Sequence, residues 1–258
     1  SCGYCLACSE GLTARCERGQ LFGWVQDGAG LHGGQAARVR VPLADGTLVR
    51  VPEGMDAALA LLAGDILSTA LFGCTMADEG AGSRVGVVGC GPVGLMTIRA
   101  AFSLGAETVY AVDRVASRLE WAAALGAQAL HLDDDPAGAI RRHGGRGADA
   151  VIEAVGGAGA TRTAADLVRT GGRIAAVGVH TEPHLAISPG EIYDRNLTYA
   201  GGRCPARHFL PRALELAAAD AALLSGLITH RLPLDAAPEA YRAFGERREG
   251  WGKVVFTP

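Results

Sequence analysis

From residue 84 to residue 202 the chain repeats one pattern. A short apolar, β-branched run is followed by a stretch with apolar residues at helical spacing, and glycine marks the joints. RVGVVG (84–89) leads into PVGLMTIRAAFSLGA, TVYAVD (108–113) into ASRLEWAAALGA, and QALHL (128–132) into PAGAIRRHG. ADAVIEAVG (148–156) leads into ATRTAADLVRT, which Gly171 and Gly172 close; RIAAVGV (173–179) and NLTYAGG (196–202) follow. Strands that are apolar on both faces are buried on both faces, and crossover helices provide that cover. The alternation therefore predicts an α/β fold with a doubly wound parallel sheet.

The flanks differ. Residues 20–52 hold the extended-looking segments AARVRVP and TLVRVP between Gly and Asp-Gly turns, and predict an antiparallel β region. Residues 209–258 predict a helix (FLPRALELAAADA), a strand (LITHRLP), a helix (APEAYRAFGER) and a last strand (KVVFTP). The apolar stretch MDAALALLAGDILSTALFGCTM is interrupted by Asp56 and Asp65, so it is expected to be a buried core helix or helix pair and no membrane span. A net charge of −3 gives no electrostatic reason to expect nucleic acid or an anionic membrane as partner. No secretory signal opens the sequence, and a cytoplasmic location is expected.

Two motifs carry chemistry. Gly89-Cys90-Gly91-Pro92-Val93-Gly94 is a G-x-G-x-x-G lying between a strand and a helix. Gly89 permits the tight turn, Gly91 lets a pyrophosphate approach the backbone, and Gly94 lets helix and strand pack closely. The helix start at Pro92-Val93 supplies free N–H groups and a positive dipole end. The next strand ends in Asp113, whose carboxylate suits ribose hydroxyls and repels a 2′-phosphate, so NAD is expected over NADP; Arg114 beside it moderates that preference. The alternative is a glycine turn that only packs.

The second motif opens the chain: Cys2, Cys5, Cys8 and Cys16, spaced C-x2-C-x2-C-x7-C. Four thiolates so close suit a tetrahedral zinc, closed and structural. A redox pair or an iron–sulfur cluster is the alternative. Cys74, Cys90 and Cys204 are scattered and read as ordinary thiols, which argues against a secreted disulfide framework. The seven histidines show no metal-ligand spacing and read as surface or packing residues, with His32 in AGLHGGQ the least easily dismissed. Asp133-Asp134-Asp135 reads as a solvated loop.

Together the cysteine lobe, GGQA (33–36), GDILST, VGCGPVGL, VYAVDRVASRLE, VIEAVG and the closing ITHRLPLDAAPEAYRAF…GKVVF resemble the zinc-dependent medium-chain alcohol dehydrogenase family. GDILST and AGLHGGQAARVRVP are most similar to the bacterial branch that includes glutathione-independent formaldehyde dehydrogenase. The resemblance implies a Rossmann sheet (67–205) plus part of a GroES-like, β-rich catalytic domain (1–66, with a return at 206–258). It implies that an N-terminal stretch with further catalytic-zinc ligands is missing, that Ser1 is not a native start, and that the 258-residue chain alone does not oxidise alcohols. It places Asp65 as a ligand of the catalytic zinc, where residue type alone suggests a helix N-cap. It further implies that Asp113 and Arg118 contact the adenosine ribose, that Val155 and Val177, Gly178 and Val179 line the dinucleotide trough, and that Lys253 reaches the pyrophosphate, a solvated lysine being the alternative.

The implied activity is alcohol–carbonyl interconversion, with zinc as Lewis acid and NAD as hydride acceptor, in a homo-oligomer (tetramer or dimer) acting on a small alcohol or aldehyde. Two other readings stand beside it: a non-catalytic NAD-binding, zinc-stabilised module, and a zinc-free quinone or enoyl reductase of the same superfamily.

Overall fold

A computed structural model describes residues 1–78, 80–246 and 248–258. In chain order the strands are β1 (Trp24–Gln26), β2 (Ala29–Leu31), β3 (Arg84–Val88), β4 (Thr108–Asp113), β5 (Gln128–His131), β6 (Ala148–Glu153), β7 (Val168–Ala176), β8 (Thr198–Gly201), β9 (Ile228–Pro233) and β10 (Lys253–Thr257). The chain divides into two compact units, Ile66–Cys204 and Ser1–Asp65 with Pro205–Pro258.

The unit Ile66–Cys204 is the α/β fold that the alternating pattern predicts. Its six strands are all parallel, in the order β5-β4-β3-β6-β7-β8. The order reverses beside β3, so β3 and β6 leave a crevice at their carboxyl ends, where ligands of such sheets bind. The central strands are buried along most of their length: Val85, Val87, Val109, Val151 and Ile152 are fully shielded. One face is covered by the helices Ser68–Ala77 and Pro92–Ser103. The first of these presses close: a Cβ on Gly73 would lie 3.0 Å from Ile152 Cγ2. On the other face Ile140, Ala164, Ala165, Leu167 and Ile187 close the core over Val151, Ile174 and Tyr110. The helix read as running to Thr170 ends at Leu167; Val168 already pairs with Ala148 as the start of β7.

In the other unit, β1 and β2 form an antiparallel hairpin whose two-residue turn is Asp27-Gly28, both with positive φ (52° and 76°). The dipeptide Asp-Gly suits such a turn because it tolerates that conformation. β9 and β10 pair in parallel. Buried Leu59, Leu62, Ala213, Leu214, Ala217 and Leu224 join the helices Ala57–Leu62, Ala206–Ala219 and Ala221–Ser225 into a core. The helix read as APEAYRAFGER runs Ala237–Gly245, and Arg247 lies outside the described residues.

The segments AARVRVP and TLVRVP are not strands: residues 36–43 are irregular and Ala44–Thr47 is a helical turn. Val39, Leu48 and Val51 are exposed. A β-branched run becomes a strand only when an adjacent strand takes its N–H and C=O groups in a ladder, and among the described residues no strand pairs with these segments.

The apolar stretch is helical from Ala57 to Ala77, with a π-helical turn at Ala63–Leu67. By length and composition alone it could cross a membrane, but 61% of its apolar window is buried inside the structure. Its N-cap is Asp56, which accepts from Ala58 N at 2.6 Å. Asp65 lies within the continuing helix and caps nothing, so the N-cap reading of Asp65 is corrected: the helix starts nine residues earlier, where an aspartate already caps it.

Candidate functional site

The β3–helix joint builds the cradle residue by residue. Gly89 has φ +90°, and a Cβ there would lie 2.3 Å from Val155 Cγ2. Gly91 is extended, precedes Pro92 at the first helical position, and a Cβ on it would meet nothing within 4 Å. A Cβ on Gly94 would lie 1.8 Å from the Gly89 carbonyl oxygen. The first and third glycines are thus required by packing, whereas the second faces open space at a helix N-terminus. Cys90 is buried; burial first, then the Asp113 charge, push its thiol up to about 12, so it stays neutral within the loop.

Asp113 ends β4 with its side chain only 9% exposed. Oδ2 accepts from Cys90 N at 2.7 Å, and Oδ1 accepts from Arg114 N at 2.7 Å and Val115 N at 2.9 Å. A carboxylate has about four acceptor sites, so room remains on Oδ2 for a ribose hydroxyl. Arg118 stands 3.8 Å from Oδ2. Arg114 points elsewhere, pairing with Asp133 at 3.6 Å. Of the acidic triplet, Asp135 caps the helix Pro136–Gly144 through Gly138 N.

The loops after β6 and β7 meet beside the cradle. Val177 N and Gly178 N both donate to the Glu153 carbonyl, at 2.9 and 3.1 Å. Val155 and Val179 are exposed on these loops. Gly89, Gly91, Pro92, Val93, Gly94, Asp113, Arg114, Arg118, Val155 and Val177 to Val179 therefore all lie in one unit, while Asp65, Lys253 and the four cysteines lie in the other.

Sequence reading missed the pair beneath these loops. Glu153 is fully buried, and His180 Nε2 lies 2.7 Å from its Oε2. Glutamate inside the apolar strand ADAVIEAVG was the available signal: a carboxylate there needs a buried partner. Its distance in sequence from His180 concealed which one.

Asp65 is exposed and sits in the π-helical turn, an irregularity frequent at functional sites. Lys253 opens β10 and lines a small pocket with Tyr241, Phe244 and Phe256.

The four sulfurs of Cys2, Cys5, Cys8 and Cys16 lie within 4.8 Å of one another. Cys2–Cys8 and Cys5–Cys16 are 4.0 and 3.9 Å apart. A tetrahedral zinc with Zn–S of about 2.3 Å requires S–S of about 3.8 Å, so the donor set fits that ion. Backbone N–H groups aim at the sulfurs: Cys2 N and Arg18 N at Cys16, 3.2 and 3.4 Å, and Cys5 N at Cys2, 3.4 Å. The Tyr4 N–H is the largest cause holding Cys2 down to about 6, the Glu17 N–H the largest lowering Cys5, while burial raises Cys8 to about 11.

Comparison with known proteins agrees with this architecture. The zinc-binding dehydrogenase family model matches residues 92–219. Zinc-type alcohol dehydrogenase B of Aspergillus flavus is 38% identical over 99% of this chain and 60% of its own length. The zinc-type alcohol dehydrogenase-like protein AdhB of Bacillus subtilis is 30% identical over 100% of this chain and 77% of its own. Among solved structures, alcohol dehydrogenase TADH from Thermus sp. ATN1 superposes with a TM-score of 0.92 at 35% identity, covering 100% of this chain and 75% of that one. The chain spans between 60% and 64% of the length of the first three curated relatives it matches. Sequence identity of this extent, carried on one shared fold, assigns the chain to the zinc-type medium-chain alcohol dehydrogenase family.

Proposed function

We propose that this chain serves an NAD-dependent alcohol dehydrogenase that interconverts a small alcohol and its aldehyde or ketone. The observation that carries the reading is the cradle: an open-sided Gly91 at a helix N-terminus, beside a carboxylate on the next strand that retains acceptor capacity. When bound, NAD supplies the hydride acceptor and a catalytic zinc a Lewis acid. In this reading the chain's own groups bind and orient. The first-turn N–H groups of the helix Pro92–Ser103 hold the pyrophosphate. Asp113 takes the ribose, with Arg118 beside it. Val155 and Val177 to Val179 form the trough wall.

The pairing of Arg114 with Asp133 supports NAD over NADP, because it draws the guanidinium away from a 2′-phosphate. Asp65 is the proposed carboxylate ligand of the catalytic zinc, and Cys2, Cys5, Cys8 and Cys16 hold a structural one. A zinc-free reductase would have no use for four sulfurs at tetrahedral spacing. On this assignment Ile66–Cys204 is the cofactor domain and the other unit belongs to a GroES-like catalytic domain. A cytoplasmic homo-oligomer completes the proposal.

Dinucleotide titration followed by fluorescence, with zinc counted on the same sample, tests it. NADH is expected to bind at least about tenfold more tightly than NADPH, a difference of about 1.4 kcal/mol. At least about one zinc per chain is expected. Preference for NADPH would overturn the cofactor, zinc-free folded protein the lobe, and absence of any dinucleotide binding the function.

A further inference from the structure

Glu153 ends β6 and His180 follows β7, and neither belongs to the phosphate cradle. The Glu153 carboxylate organises the first loop: Oε1 accepts from Val155 N at 2.6 Å and Gly156 N at 2.7 Å. Its Oε2 takes His180 Nε2 at 2.7 Å. On the other edge of the ring, Nδ1 faces Gly157 N at 3.3 Å. The Gly157 N–H can only donate, so Nδ1 is bare and Nε2 carries the proton. One neutral tautomer satisfies both contacts; the other tautomer and the cation do not. The imidazole thereby staples the Val155–Gly157 loop to the segment after β7. The two backbones also touch: a Cβ on Gly156 would lie 2.2 Å from Val179 O, and one on Gly178 2.1 Å from Gly156 N. Where the exposed side chains of Val155 and Val179 stand is set by this joint.

We propose that His180 is a positioning residue for the dinucleotide. Its neutral Nε2–H form holds the Val155 and Val177–Val179 loops in the geometry that accepts the nicotinamide end, and proton uptake at Nδ1 releases them. This rests on the NAD-binding reading above.

The groups facing the ring define what happens on acidification. A proton on Nδ1 would point at the Gly157 N–H, donor against donor. The Glu182 carboxylate, 3.9 Å from Nδ1 on the segment after β7, offers the alternative acceptor. Glu153 faces the ring from β6. Tyr199 faces the same cavity from β8 as a neutral phenol, its value raised by burial and then by the Glu153 charge. His184 also lines this cavity of about 170 Å³, which gives the imidazole room to turn. Protonated, the ring exchanges Gly157 for Glu182, and the first loop loses its staple.

The test compares the wild-type chain with His180→Gln and His180→Ala. NADH affinity is measured between about pH 5.5 and about pH 8.5, and imidazole nitrogen shifts are read by NMR without dinucleotide. Wild-type affinity is expected to fall about tenfold on acidification. In His180→Gln the amide donates to Glu153 and cannot take up a proton, so affinity stays within about threefold of the wild type at the alkaline end and does not vary with pH. His180→Ala is about tenfold weaker at the alkaline end and equally flat. Thermal melts of both variants confirm folding. An Ala variant with wild-type affinity and pH profile would overturn the proposal alone, as would an NMR signature with the neutral-form proton on Nδ1. A wild type that binds no NADH at any pH, with the Nε2–H tautomer intact, would overturn the NAD-binding reading and the proposal with it.

Discussion

Gly91 and Gly94 are three residues apart in one turn and are glycine for opposite reasons. At Gly94 the missing Cβ is a matter of folding: the atom would lie 1.8 Å from the Gly89 carbonyl oxygen and 2.8 Å from its carbon. Backbone cannot swing aside as a side-chain tip can, so Gly94→Ala is expected to cost about 1–3 kcal/mol in urea unfolding. At Gly91 a Cβ meets open space. Gly91→Ala is expected to leave stability within about 0.5 kcal/mol of the wild type, and to weaken NADH binding at least about tenfold by occupying the approach of the pyrophosphate. Urea midpoints and NADH titrations on both variants separate the two roles. Equal stability losses would show that Gly91 is there for packing.

At the scale of elements, the short helix Pro189–Arg195 is fastened to the helix Ala158–Leu167 by charge. Arg162 grips Glu191 with two 2.7 Å hydrogen bonds and also reaches Asp166 at 2.9 Å. Arg195 adds a 3.1 Å bond to Glu191 and donates to the Val168 and Ala165 carbonyls. The planar guanidinium matches a carboxylate with two parallel bonds, so the geometry is better than that of an ordinary surface pair.

The Arg162 hydrogen bonds are the largest cause holding Glu191 down to about 2, from an ordinary value of 4.5. A depressed folded value means stability present above the unfolded value and lost as pH falls through the folded one. Glu191→Gln is therefore expected to lower the urea midpoint at neutral pH, with the difference from wild type shrinking below about pH 4.5 and gone near about pH 2. A difference that persists unchanged at the acid end would mean that the glutamate acts by packing.

The whole molecule consists of two units with separate cores, one of them assembled from segments at both ends of the sequence. Each has its own proposed ligand, and a ligand that binds only the folded state stabilises the unit that holds it. Hydrogen exchange read by mass spectrometry is expected to show NADH slowing amides in Gly89–Gly94 and Val155–Gly157 by at least about tenfold. Chelation of zinc is expected to accelerate exchange across Cys2–Arg18. Protection by NADH that left both loops unchanged would place the dinucleotide elsewhere.

What the sequence determined by itself is what closes within one turn or one strand–turn–helix unit. Alternating apolar runs predicted the six parallel strands, because burial on both faces is written into the composition of the central strands, and the edge strands β5 and β8 share the same strand–helix alternation. The demands on Gly89 and Gly94 were legible because the turn and the close packing lie within six residues. The cysteine spacing was legible because four sulfurs on sixteen residues can converge without help from the rest of the chain.

The tertiary structure decided whatever needs a partner far away in sequence. AARVRVP and TLVRVP have strand composition but, among the described residues, no strand to pair with, and composition cannot say whether one exists. Asp65 matched a helix cap locally, yet the helix continues through it and Asp56 is the cap. Arg114 turns to Asp133 on another loop. Glu153 finds His180 across 27 residues, because parallel pairing of β6 with β7 brings their carboxyl ends side by side. A buried carboxylate announces that it needs a partner, but only the sheet order, set by the packing of the whole unit, determines which residue that partner is.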